Sequence, residues 1–155
     1  RMSSPVPAIL RTGLCTAPFD VAAEMAVIGP AGAVASFVGH VRGDDGVETL
    51  TLEHHPVMTA RALADLAQDA SERWSLSGAT LLHRVGPLAK GDAIVLVLTA
   101  SDHRAAALEA CAFLIDRLKT DVPLWKCETL ADGTRRWVEP RAADDARAEA
   151  WSEPS

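Results

Sequence analysis

Cysteine is scarce in this chain and follows no pattern. Cys15, Cys111 and Cys127 are an odd set without CxxC or metal-ligand spacing, so no disulfide framework or zinc site is expected and reduced thiols are the default. Basic residues are outnumbered: 15 Lys and Arg face 21 Asp and Glu, a formal net charge of -6. That balance excludes a general nucleic-acid binder and confines any anion site to a local basic pocket on an acidic body. The longest strongly apolar run, Ala93 to Ala100, falls far short of the roughly 20 residues of a membrane-spanning helix. The N-terminus has no secretory h-region, so a cytoplasmic protein is expected; Arg1, ahead of Met2, is set aside. Paired carboxylates, GxSxG, P-loop and GxGxxG signatures are all missing, as is any internal repeat. What is present, 155 residues with 48% hydrophobic content, is enough to bury a core in one domain without staples.

The elements follow from periodicity. Residues up to Pro18, rich in Pro, Ser and Thr, read as an N-terminal arm (1–18) or an edge strand. Asp20 is placed to cap a short helix with Val21, Met25 and Ile28, stopped by Gly29-Pro30. Gly32 to Val41 alternates as a strand that delivers Arg42. A GDDG loop, expected to be mobile, leads to a second strand from Glu48 to His55, which Pro56 ends. Thr59 is the expected cap of a helix with Leu63, Leu66, Ala70 and Trp74 inward, closing near Ser77-Gly78. Leu81 to Val85 is a third strand. Gly86-Pro87 and Lys90-Gly91-Asp92 bracket a tight connection to a fourth, Ala93 to Ala100, whose unbroken apolar run predicts burial on both faces. A long helix follows, with Ser101 as expected cap and Leu108, Cys111, Ile115 and Leu118 as its inward stripe. Trp125 to Thr129 and Arg135 to Val138 flank Asp132-Gly133 as a hairpin. The tail from Pro140 is Ala- and acid-rich and reads as helical or frayed. The expected class is α+β with a largely antiparallel or mixed sheet, the main domain covering 19–145 and a tail 146–155.

Five cations stand where elements end: Arg42, His103, Arg104, Lys119 and Lys126. Arg104 in a first helical turn opposes the helix dipole, and an anion there would relieve the cost, so Ser101 to Arg104 is a candidate phosphate or carboxylate cradle. Each cation also has an ordinary structural reading. Lys119 at a helix C-terminus suits the dipole, Lys126 suits a strand edge, Arg42 can pair with Asp44 or Asp45, and His103 can be a surface histidine. His54-His55 reads as strand alternation, with no third metal ligand, and Glu53 as structural. Cys127 beside Lys126 is a weak candidate nucleophile.

Taken together, FVGHVR (37–42), TLEHHP (51–56), HRVG (83–86), SDHR (101–104), LKTDVPLWK (118–126) and RWVEPR (136–141) resemble, in order and spacing, the catalytic large subunit family of molybdopterin synthase. The resemblance covers about residues 30–145. It implies an α/β hammerhead-like subunit that dimerises and binds a small ubiquitin-like sulfur carrier at each end, a heterotetramer. The carrier's C-terminal glycine thiocarboxylate supplies the two sulfurs that convert cyclic pyranopterin monophosphate to molybdopterin. The same resemblance places the catalytic lysines on Lys119 and Lys126, and substrate binding on His40, Val41, Arg42, His103, Arg104, Lys119, Lys126, Cys127, Glu128 and Arg141. No metal or resident cofactor is implied. His40, Asp102, Leu124 and Cys127 depart from the common pattern, which bears on substrate affinity rather than on the reaction.

The residue types suit that chemistry. Arg offers a planar fork to phosphate oxygens and Lys a point charge to a carboxylate-like terminus. Lys119 would contact the thiocarboxylate carbonyl, as a cation or as a transient nucleophile, the latter needing burial and like-charge neighbours such as Arg42, Arg104 and Lys126. Lys126 would stabilise developing negative charge, and His103 would move protons. The chain ends Trp151-Ser152-Glu153-Pro154-Ser155, without the terminal Gly-Gly of a carrier, so the sulfur donor is expected in trans. Two other readings fit parts of the pattern: a non-catalytic dimeric module that holds an anionic ligand or a ubiquitin-like tail, and a phosphoester hydrolase using His103, which lacks a carboxylate or metal set.

Overall fold

The apolar run from Ala93 forms the spine of the molecule. In the computed structural model, which describes residues 6–138 and 142–152, it is strand β6 (Ala93–Ser101) at the interior of a four-stranded sheet. The other strands there are β1 (Ile9–Cys15), β2 (Ala33–His40) and β4 (Gly78–Arg84), in the order β1-β4-β6-β2. β1 runs parallel to β4, and the remaining pairs are antiparallel. The sheet is mixed, and the N-terminal segment supplies its edge strand.

Both faces of this sheet are covered, as the apolar run requires. Val95 and Val97 point into a core shared with α2 (Pro56–Trp74) and α3 (Arg104–Asp121), where Leu63, Phe113 and Leu114 are fully buried. Leu96, Leu98 and Ala100 point the other way, against Ile28 of α1 (Val21–Ile28). Each fully buried leucine contributes about 2 kcal/mol of transfer free energy. Asp20 caps α1 as expected, its carboxylate accepting from Ala23 N at 3.0 Å.

A second sheet, all antiparallel, has the order β5-β3-β7-β8, from β3 (Val47–His54), β5 (Gly86–Ala89), β7 (Leu124–Leu130) and β8 (Arg135–Trp137). The β7–β8 hairpin turns at Gly133, φ 88°, as the Asp-Gly pair predicts. The tight connection expected at 86–92 instead contains β5. Pro87 is tolerated because β5 is an edge strand. The GDDG loop is a single 3-10 turn at Asp44–Gly46.

Three local expectations need correction. Thr59 does not cap α2: His55 does, its Nδ1 accepting from Met58 N at 3.1 Å, while Pro56 opens the helix. Thr59 is buried and its hydroxyl donates to Pro123 O at 2.8 Å. The cap of α3 is His103 rather than Ser101, because β6 runs through Ser101 before the chain turns. On α3, Leu108 is 61% exposed; the inward stripe is Ala107, Ala110, Cys111, Leu114 and Leu118. Cys111 is core, and burial pushes its thiol up to about 11.

The acid-rich tail forms α4 (Ala142–Glu149), which packs along α3. Trp151 fixes it there. Its ring meets Trp74 and Phe113 edge-on at 5.6 and 5.7 Å, and its Nε1 donates to Asp116 Oδ2 at 2.9 Å. Arg73 donates to the Trp151 carbonyl at 2.8 Å and lies 5.0 Å from the Trp74 ring centre.

Candidate active site

The β6–α3 junction builds the first basic cluster. Ser101 is buried and its hydroxyl accepts from His103 N at 3.5 Å. His103 and Arg104 follow at the cap and first helical position, both exposed, with no side-chain bond capping the helix. The first backbone N–H groups of α3 therefore lie beside the exposed His103 and Arg104 side chains, the arrangement that suits an oxyanion. The turn is pinned from behind by Gly32, where a Cβ would sit 2.2 Å from the Asp102 carbonyl oxygen.

Lys119 lies at the other end of the same helix. Fifteen residues at 1.5 Å per residue place it about 23 Å from Arg104. The antiparallel register of β2 on β6 sets Ala33 opposite Ser101 and His40 opposite Ala93, so His40, Val41 and Arg42 also stand at the end remote from His103. Lys126 on β7 joins that end, because it stands opposite Leu52 of β3, which in turn stands opposite Gly86, just past the end of β4 where His83 pairs with Val95 near the start of β6. The five cations form two clusters within one chain. Arg42, Lys119 and Lys126 share one end; His103 and Arg104 hold the other. With a screening length of about 8 Å at physiological salt, Arg104 does not influence Lys119 of its own chain.

The surroundings of each residue narrow its use. Lys119 pairs with Asp144 of α4, Nζ to Oδ1 3.6 Å, its side chain 49% exposed. Lys119 thus has a carboxylate on one side and solvent on the other. Arg42 Nε is 3.6 Å from Asp44 Oδ2, both well exposed. His40 is exposed at the end of β2. Val41 is buried with Leu50, Leu52 and Leu88, so its side chain is core and only its backbone is near the site. Cys127 is 2% exposed and lines a cavity of about 170 Å³ with Arg135, Arg136 and Trp137. Glu128 is tied to Arg136 at 2.9 Å. Arg141 lies outside the described residues. Among the described residues no group of His, Cys, Asp and Glu is arranged to hold a metal, and no helix is long and apolar enough to cross a membrane.

One neighbour of Lys119 was not legible as such. Asp144 carries no more signal than membership of an acidic tail.

Comparison with known proteins decides the family. A family model described as "MoaE protein" matches residues 14–121. The chain belongs to the MoaE family. Relatives include the "Molybdopterin synthase catalytic subunit" of Brucella melitensis, 45% identical over 142 residues, 88% of this chain and 87% of the relative. The Pseudomonas aeruginosa protein of the same name is 50% identical over 125 residues, 79% and 83% of the two chains. Among solved structures, molybdopterin cofactor biosynthesis protein E from Burkholderia multivorans superposes with a TM-score of 0.79 at 41% identity, covering 95% of this chain and 99% of that one. The two-sheet α+β architecture is thus the MoaE fold, and the hammerhead-like expectation agrees with it.

Proposed function

We propose that this MoaE-family chain is the catalytic subunit of a molybdopterin synthase, a sulfurtransferase that converts cyclic pyranopterin monophosphate to molybdopterin with sulfur from a thiocarboxylated ubiquitin-like carrier. The observation that carries the reading is the presence of Lys119 and Lys126 at one end of a chain 45% to 50% identical to proteins of that name. A solved relative is titled molybdopterin synthase from Staphylococcus aureus, 32% identical with a TM-score of 0.73.

The roles follow from the geometry. Lys119 and Lys126 act as cations toward the carrier's thiocarboxylate and the charge that develops on it. Arg42 extends that basic end. His103 and Arg104, with the first N–H groups of α3, hold the phosphate. One chain cannot bring both clusters to one small substrate. A homodimer does so when the His103–Arg104 end of one protomer meets the Lys119–Lys126 end of the other. The carrier tail then enters beside Lys119, displacing the Asp144 contact, to give a heterotetramer.

The test is direct: combine the chain with carrier thiocarboxylate and precursor, and assay the dithiolene. Product that is lost in Lys119→Ala supports the reading. Binding of both ligands by the wild-type chain without product would make it a non-catalytic module instead.

A further inference from the structure

Arg84 closes β4 with its side chain only 10% exposed. A buried guanidinium is costly unless its N–H donors are used, and here they are used sparingly. Nη2 donates to the Thr16 carbonyl at 3.0 Å, and Nε is buried without a hydrogen-bond partner among the described residues. The carboxylate within reach of the charge is Asp92, whose Oδ2 lies 3.9 Å from Nη1. A well-packed apolar side chain would be cheaper in this place, so Asp92 is the feature that a charge at position 84 serves.

Asp92 joins that buried charge to the exit of β2. Its Oδ2 accepts from Ala89 N at 2.9 Å and its own N donates to Ala89 O at 3.0 Å, which closes the 89–92 turn between β5 and β6. The turn is bonded in both directions to Val41: Val41 N donates to Asp92 O at 2.9 Å, and Gly91 N donates to Val41 O at 2.8 Å. Gly91 has φ 90°, a backbone that favours glycine. Lys90 adds a side-chain contact, since a Cβ on Gly43 would lie 2.5 Å from its Cγ and Cδ. Both neighbours of Arg42 in the chain are therefore held by the turn, Val41 through its backbone and Gly43 under the Lys90 stem. β2 ends at His40, so the ladder does not reach Arg42 and the turn sets where its Cα stands.

We infer that Arg84 is a positioning residue for Arg42: through Asp92 its buried charge locks the 89–92 turn, and the turn fixes the point from which the Arg42 guanidinium is presented to the carrier's anionic tail. Asp92 needs such a partner because its side chain is 41% exposed and solvent competes for the carboxylate. Arg42 needs a fixed base because its side chain is 69% exposed with Asp44 at 3.6 Å. A solvated charge acts over only about 8 Å at physiological salt, so its effect on an incoming anion depends on where the backbone holds it. The inference rests on the role proposed for Arg42.

Asp92→Asn separates the clamp from the turn: the amide oxygen still accepts from Ala89 N, and the charge facing Arg84 is gone. The first test is amide hydrogen exchange in the complete chain. The Val41 and Gly91 amides, which make the two bonds between turn and β2 exit, should exchange about tenfold faster in Asp92→Asn, while Leu96 and Leu98 inside β6 keep wild-type rates. Unchanged rates at Val41 and Gly91, or equal acceleration along β6, would overturn the clamp. The second test is steady-state turnover with carrier and precursor. Asp92→Asn and Arg84→Gln should each raise the KM for carrier about threefold to tenfold at unchanged kcat, and Arg84→Lys, which keeps the charge, should stay within about twofold. In an Arg42→Ala background Asp92→Asn should add nothing. A further loss there, or a fall in kcat instead of a rise in KM, would make the role of Arg84 structural and overturn the inference. Wild-type KM in Arg42→Ala would overturn the role given to Arg42, a failure that the exchange result keeps distinct from failure of the clamp.

Discussion

Gly32→Ala tests how the proposed phosphate cradle is held. The missing Cβ position is 2.2 Å from the Asp102 carbonyl oxygen, 2.8 Å from its carbonyl carbon and 3.1 Å from its Cα, all backbone. Ordinary contact begins near 3.4 Å, so the 101–103 turn must retreat by about 1.2 Å, and no flexible side chain can give way in its place. Overpacking of this kind costs about 1–3 kcal/mol. The displaced turn carries His103 and Arg104, and an ångström-scale misplacement of binding groups costs up to about a hundredfold in rate. Urea denaturation should therefore show a stability loss of about 1–3 kcal/mol, and calorimetric titration of precursor into the assembled enzyme should show affinity weakened by about tenfold or more. Gly29→Ala is the control. Gly29 has φ 80° with nothing near its Cβ position, so it should lose about 1–3 kcal/mol of stability with precursor affinity unchanged. Wild-type stability and affinity in Gly32→Ala would refute the argument; equal affinity losses in both variants would show that the effect is merely global.

Mixed dimers test the two-ended site. Lys119→Ala and Arg104→Ala homodimers should each be inactive or nearly so, and after subunit exchange the mixture should recover about a quarter of wild-type turnover, one intact site in half of the dimers; a mixture as inactive as its parents would mean that each site uses cations of one chain. The pH dependence of stability should carry the mark of His83. Its folded pKa, about 4, lies below the unfolded value near 6.5. The unfolded state therefore binds more protons between these values, and stability present above pH 6.5 falls by up to about 3 kcal/mol as pH drops to 4; His83→Gln should flatten that limb in urea melts, and an unchanged slope would contradict the burial. Cys111→Ser and Cys127→Ser should retain turnover, since in the proposed reaction sulfur arrives on the carrier, and native Cys111, with its thiol pushed up to about 11, should resist iodoacetamide at pH 8. A folded Cys127→Ser protein that binds both ligands and makes no dithiolene would favour a persulfide relay.

Much of the scaffold was legible because its signals are local. The Ala93–Ala100 run predicted a strand buried on both faces, and Asp132-Gly133 predicted the hairpin. Leu108 was misplaced because alanines carry little pattern: Ala107 and Ala110 hold the inward face, and large-residue periodicity alone rotates the stripe. The cap at His103 was missed because β6 extends through Ser101, a pairing set by Ala33 on β2. β5 was missed since Gly and Pro signal turns, and only an open edge on β3 makes them a strand. For the site, residue types at element ends were readable, but their grouping was not. Sequence proximity of SDHR and LKTDVPLWK hides about 23 Å of helix, and the contact of Lys119 with Asp144 depends on tertiary packing.

The most direct measurement is a titration of thiocarboxylated carrier into enzyme and excess precursor, counting molybdopterin formed. A dithiolene holds two sulfurs and each carrier delivers one, so product should rise linearly and saturate at one molybdopterin per two carriers, with none formed when carrier is withheld. Product at a comparable rate from free sulfide without carrier, or none at any carrier concentration despite binding, would contradict the account.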